Sequence, residues 1–179
     1  DRSAETMTPI VEWPAWAVLL IAYVFLQRIA ELAIAQRNTR ALIKEGAHEF
    51  GRKGYPLFIA LHSAWLISIV IFAVPSPRPD LLLLLLFALT QALRYWALFT
   101  LGRYWTTRLI SSPNFPRIRK GPYRFFPHPN YLVVVAEIAL VPLIMNEETV
   151  ASVFTFLNAA LLVWRIRMEN RVLGHRRTD

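Results

Sequence analysis

The chain has 179 residues, 55% of them hydrophobic, no cysteine and a formal net charge of +8, with a mean hydropathy of +0.37. That length suggests one domain, spanning 1–179, and that apolar content is too high for an ordinary soluble one; without cysteine there are no disulfides, thiolate chemistry or Cys-based metal sites. The positive charge does not point to nucleic acid, because Lys and Arg fall in blocks between apolar runs, as in membrane topology.

Only Arg2 is basic before the first apolar run, and Asp1, Glu5 and Glu12 flank it. This start does not read as a cleaved signal peptide. The run Trp16–Ala35 is long enough for a helix to cross about 30 Å of hydrocarbon. It carries Arg28 and Glu31 at i,i+3 spacing. Either they pair within the helix, with Arg28 snorkelling outward, or they face a cavity. The basic stretch Asn38–Gly54 follows, and its Leu42, Ile43 and Phe50 suit an amphipathic helix on the membrane surface.

A second span, Tyr55–Val74, contains His62, which reads as a hydrogen-bonded packing residue. Pro75-Ser76-Pro77-Arg78-Pro79 forms a stiff turn. A third span, Leu81–Leu101, opens with six leucines and carries Arg94. The shorter runs Tyr131–Met145, with Glu137, and Val150–Trp164 are joined by Asn146-Glu147-Glu148, whose carboxylates argue for spanning rather than re-entry. Arg94 and Glu137 would each cost roughly 2.5–3.5 kcal/mol facing lipid at mid-bilayer. They are expected to face the bundle interior, to pair with each other and to line a substrate cavity. Basic residues crowd every second loop and the tail, which predicts about five spans with the N-terminus outside and the C-terminus in the cytoplasm.

The stretch Arg119–Tyr131, RKGPYRFFPHPNY, leads into the fourth helix. Proline disfavours the α region in the residue before it and suits a first helical turn, so a helix is expected from Pro129 with His128 at its N-terminus. Free N–H groups there favour an anionic guest, and Arg119, Lys120 and Arg124 add positive potential. The alternative is a Pro-rich turn whose cations touch lipid phosphates. The tail, VWRIRMENRVLGH, sets Arg165 and Glu169 four apart on one helix face beside Asn170. It is either a basic helix end with an Arg–Glu pair or a helix closing over the loop of His128. There is no G-x-G-x-x-G, P-loop, H-E-x-x-H or serine elbow, and His48, His62, His128 and His175 are scattered, so no metal site is expected.

Gly121-Pro122-Tyr123, then Pro127-His128-Pro129-Asn130-Tyr131, and finally Arg165-Ile166-Arg167-Met168-Glu169-Asn170-Arg171-Val172-Leu173 form a linked pattern. In it the chain resembles the isoprenylcysteine carboxyl methyltransferase family of membrane O-methyltransferases, over a catalytic half of about 101–179. The resemblance implies an all-α integral membrane protein whose cytoplasmic loop and C-terminal tail form a non-Rossmann pocket for S-adenosylmethionine. It implies that Tyr123, His128, Pro129, Tyr131 and Glu169 hold the cofactor, and that Arg165 with the Glu169–Asn170 pair sits at the methyl-transfer centre. Pro127 stands where the family has arginine and Asn170 where it has a second glutamate, a position that cannot act as a base here.

The stretch Leu101–Thr107 with Arg119–Tyr123 is similar to a bacterial branch associated with type III polyketide synthases, which implies an alkylpyrone or alkylresorcinol hydroxyl as acceptor. A prenylated cysteine carboxylate suits an apolar groove equally. The expected partners are a lipophilic substrate and membrane lipid, with no nucleic acid, in a prokaryotic plasma membrane. Two other readings stand beside this one: an NADPH-dependent sterol-type reductase, and a non-enzymatic lipid-binding protein.

Overall fold

A computed structural model describes residues 13–116 and 118–174, with the side chains of 170 and 172–174 excepted. Arg2, Arg117 and His175 therefore lie outside the described residues, as does the Asn170 side chain.

Five helices follow the five apolar runs: α1 (Ala15–Lys44), α2 (Tyr55–Phe72), α3 (Leu81–Leu101), α4 (Pro129–Ile144) and α5 (Glu148–Gly174). Two three-residue strands, β1 (His48–Phe50) and β2 (Leu109–Ser111), form an antiparallel pair that ties the loop after α1 to the loop after α3. α1, α2, α3 and α5 are long and apolar enough to cross a membrane. α4 has 16 residues, about 24 Å at 1.5 Å per residue, somewhat short of the hydrocarbon thickness. The protein is an all-α integral membrane protein, and its outward faces match that solvent. Leu81, Leu82 and Leu85 of the leucine run are more than half exposed, as lipid-facing residues are.

α1 extends past its apolar run without a break, so the surface helix expected over Asn38–Gly54 is replaced by the last turns of α1 followed by β1. The reason lies in Asn38, Thr39 and Leu42, which are buried. The Asn38 amide donates to the carbonyls of Gly102 at 3.1 Å and Trp105 at 2.9 Å, so the extension is fastened to protein rather than lipid. α5 likewise runs past the apolar segment, and the tail is its continuation. Its Trp164 lies where a Cβ on Gly54 would sit, 1.9 Å away, so only glycine lets α5 approach this loop.

The other end is closed by short ties. Asp80 caps α3 by accepting from the amides of Leu82 and Leu83 at 2.8 and 3.1 Å. Asn146, at positive φ, turns α4 into α5 and donates to Ser76 Oγ at 2.6 Å. Ala17, Val24, Trp65, Phe87, Ile138 and Val141 form the apolar core beneath these turns. Pro142, inside α4, has no N–H to offer the Ile138 carbonyl one turn back. The buried Trp65 indole of α2 donates to that carbonyl at 3.1 Å, so the proline's lost bond becomes an interhelix one.

Between this core and the basic end lies a charged layer. Arg94 of α3, fully buried, donates to both oxygens of Glu31 on α1 at 3.0 and 2.8 Å and also binds Glu137 of α4. Arg28 of α1 binds Glu137 as well. The expected Arg94–Glu137 pair is present. Arg28 and Glu31 do not pair with each other, because each finds a partner on another helix. Gln91 joins by donating to Glu137 at 3.2 Å and accepting from Gln27 at 2.7 Å. Removing one member of a buried ion network strands its partners. Arg94→Met is expected to lower stability by about 3 kcal/mol, read from unfolding in detergent, and adding Glu31→Met should recover part of the loss. A change below about 1 kcal/mol would show the layer to be dispensable.

Candidate functional site

α4 begins at Pro129 with His128 as its cap residue, as the proline positions predict. Its first turn places Tyr131 against the end of α5. Tyr131 Oη donates to Glu169 Oε2 at 2.7 Å and accepts from Arg165 Nε at 3.0 Å. Arg165 and Glu169 are thus joined through a phenol rather than as the simple i,i+4 pair their spacing allows. Arg165 Nη2 donates to the Thr107 carbonyl at 2.8 Å, and the guanidinium carbon lies 5.0 Å from the Phe58 ring centre. His128 stacks on Tyr131 with ring centres 5.1 Å apart, and its Nδ1 is 3.9 Å from Glu169 Oε2. Tyr123 packs beside Ala35, Ala97 and Trp105. Burial pushes its phenol above the usual value, and the nearby Glu169 carboxylate adds to the effect; it is a neutral hydroxyl at physiological pH.

Of the residues expected to bind a cofactor, His128, Tyr131 and Glu169 therefore meet directly. Tyr123 lies within electrostatic reach of Glu169, and buried Pro129 starts the helix that carries Tyr131. Arg165 and Glu169, expected at the reaction centre, share Tyr131. Asn170 is in α5 with its side chain outside the described set. Of the two residues expected to bind substrate, Arg94 lines the cleft described next, while Glu137 has no exposed surface and serves the charged layer.

A cleft lies between α1 and α2. Its walls are apolar, with Phe25, Ile29 and Leu32 on α1 and Ile59 and Leu66 on α2. At its basic end stand Thr106, Thr107, Tyr131 and Arg165. Arg165 and Tyr131 thus form the partition between an apolar groove and the His128–Glu169 cluster. Tyr55, Phe58, Thr106, Thr107 and Asn130 also line the groove and were not singled out from the sequence. Thr106 and Thr107 fall in a stretch flagged only as a pattern, and nothing in their types marks them, because Thr107 uses its backbone carbonyl. His62 makes the expected packing hydrogen bond, Nδ1 to the Phe58 carbonyl at 2.8 Å, and faces the groove as well.

The sequence profile described as the isoprenylcysteine carboxyl methyltransferase (ICMT) family matches residues 82–175, from α3 to the end of α5. The chain is 39% identical over 159 residues to the uncharacterized protein YpbQ of Bacillus subtilis, covering 87% of this chain and 95% of that relative. It is 25% identical over 155 residues to an uncharacterized protein of Haemophilus influenzae, covering 83% and 89% respectively. No solved structure matches the chain.

The Tyr131 phenol is the hinge of the cluster, since it receives one charged group and serves another. A double-mutant cycle of Tyr131→Phe with Glu169→Gln is expected to show a coupling of about 1 kcal/mol in unfolding experiments, the lower range for a charge-assisted bond with some water access. Additive losses would mean that the two side chains act independently.

Proposed function

The chain belongs to the isoprenylcysteine carboxyl methyltransferase family, and on that premise we propose that it methylates an oxygen of a lipophilic, membrane-resident acceptor. The observation that carries this reading is the place of Arg165 and Tyr131, at the inner end of an apolar groove with Glu169 and His128 behind them. A lipid tail fits the groove, its oxygen meets Arg165, and a polar cofactor fits the far side.

The chemistry of the cluster fits S-adenosylmethionine. Glu169 is a carboxylate suited to a cationic or hydroxyl-bearing guest. The stacked rings of His128 and Tyr131 offer an aromatic face, and the N-terminus of α4 suits a carboxylate. When bound, the cofactor supplies a methyl group on positively charged sulfur. The chain's own part is to orient the acceptor oxygen and keep water out. The Arg165 guanidinium stabilises negative charge on that oxygen, and its bonds to Tyr131 and Thr107 hold it in place. A carboxylate acceptor arrives ionised. A phenolic or enolic hydroxyl must lose a proton; on this reading Glu169 takes it through the Tyr131 hydroxyl, or His128 takes it through water.

We place the cluster on the cytoplasmic side, where the cofactor is made, because the loops after α1 and α3 and the end of α5 carry most of the Lys and Arg. Among acceptors we favour a phenol or enol on a long alkyl chain, such as an alkylpyrone or alkylresorcinol, over a prenylated cysteine. Asn170 and Pro127 depart from the prenylcysteine pattern, while Arg165, Tyr131 and Glu169 suffice for a hydroxyl.

Calorimetry of S-adenosylhomocysteine on detergent-purified protein tests the cofactor. Micromolar binding is expected, weakened about tenfold or more by His128→Ala, with no heat from NADPH. Binding of NADPH instead, or of neither compound, would overturn the methyltransferase reading.

A further inference from the structure

The groove between α1 and α2 is apolar along its walls but not at mid-depth. Arg28, His62 and Ser63 all line it, at the level of the charged layer. Glu137 is six residues beyond Tyr131 on α4, about 9 Å deeper at 1.5 Å per residue. None of the three groove groups is satisfied by the fold. Among the described residues, Arg28 bonds only through Nη2, to Glu137, and its side chain keeps some exposure. Ser63 has no side-chain partner among the described residues. His62 Nδ1 faces the Phe58 carbonyl at 2.8 Å. A carbonyl cannot donate, so Nδ1 carries the proton and the neutral ring leaves Nε2 as an acceptor.

The set is a donor, an acceptor and a hydroxyl in a low-dielectric groove, where unmet polar groups are costly. A plain hydrocarbon tail would bury all three unmet. A second anion is disfavoured, because Glu137 already neutralises Arg28 and Glu31 neutralises Arg94. An uncharged hydroxyl fits each requirement, since its oxygen accepts from Arg28 and from the Ser63 hydroxyl while its proton goes to His62 Nε2.

We infer that Arg28, His62 and Ser63 form a second polar subsite, and that the acceptor carries a neutral hydroxyl about 9 Å from the oxygen that reacts at Arg165. This rests on the groove being the acceptor site of the proposed methyltransferase. It makes the acceptor an amphiphile with two separated oxygen functions, not an oxygen-tipped hydrocarbon.

The test compares two long-chain phenols, one with a hydroxyl on its chain about 9 Å from the phenol and one with methylene there. Binding is measured by calorimetry in nanodiscs, and methylation separately with S-adenosylmethionine. The hydroxylated compound is expected to bind about tenfold more tightly. The ratio should fall towards one in Ser63→Ala, which leaves the charged layer intact, and in Arg28→Lys, which keeps the charge on Glu137 but loses the guanidinium donors. Equal binding of the two compounds, or a preference unchanged in both variants, would overturn the subsite whatever the turnover. A preference retained without methylation would sink the methyltransferase reading and leave the subsite standing.

Discussion

Two arginines and two glutamates from three helices neutralise one another inside the membrane, and the rest of the structure depends on that pairing. Arg94 of α3 reaches both α1, through Glu31, and α4, through Glu137, while Arg28 returns from α1 to Glu137. In lipid, apolar side chains gain little by leaving one apolar surface for another, so helix position is set by packing and by polar contacts that have no alternative partner. Here those contacts hold α1 beside α3 and α4 at one depth. α2 is fixed differently, by its packing on α5 and by the Trp65 indole on the Ile138 carbonyl that Pro142 leaves free. The groove between α1 and α2 follows from this division of contacts.

Much of this was legible in the sequence where the physics is local or compositional. Five apolar runs announced five helices, three of them long enough to span by themselves and two shorter. Pro127 and Pro129 placed the start of α4 and His128 at its cap, because proline acts on its immediate neighbours. The need to satisfy Arg94 and Glu137 predicted their pairing, as charge in hydrocarbon leaves few options. Local reasoning failed where partners came from afar. Arg28 and Glu31 look like an i,i+3 pair, yet helices brought together from 60 and more residues away offered each a better-buried partner. The Asn38–Gly54 stretch has the composition of a surface helix, but Asn38 finds carbonyls in the turn after α3, which no pattern within the stretch reveals.

The same limit applies at the site. Arg165 and Glu169 stood out by spacing, and Tyr131 by its place beside the prolines, but their union through one phenol needs α4 and α5 to meet. Thr107 holds Arg165 with a backbone carbonyl, so its side chain carries no signal. Glycine at 54 admits Trp164, and that close approach lets α5 carry Arg165 over the loop. A glycine in a basic loop looks like ordinary turn chemistry until the helix that needs it is in view.

The two polar levels of the groove have different origins, and this bears on how such a site becomes specific. At the inner level, Arg165 is held through Nε on Tyr131 and Nη2 on the Thr107 carbonyl, so on the proposed reading an acceptor meets a prearranged surface and little reorganisation is needed as charge develops. At the deeper level, Arg28 is held by the scaffold through Nη2 alone and presents donors the fold does not use. Holding the bundle requires only one face of that guanidinium. A charged layer built to position helices thus leaves a polar edge in the groove at a fixed depth. On the proposed reading, that fixed depth sets the distance at which an acceptor's second oxygen is read.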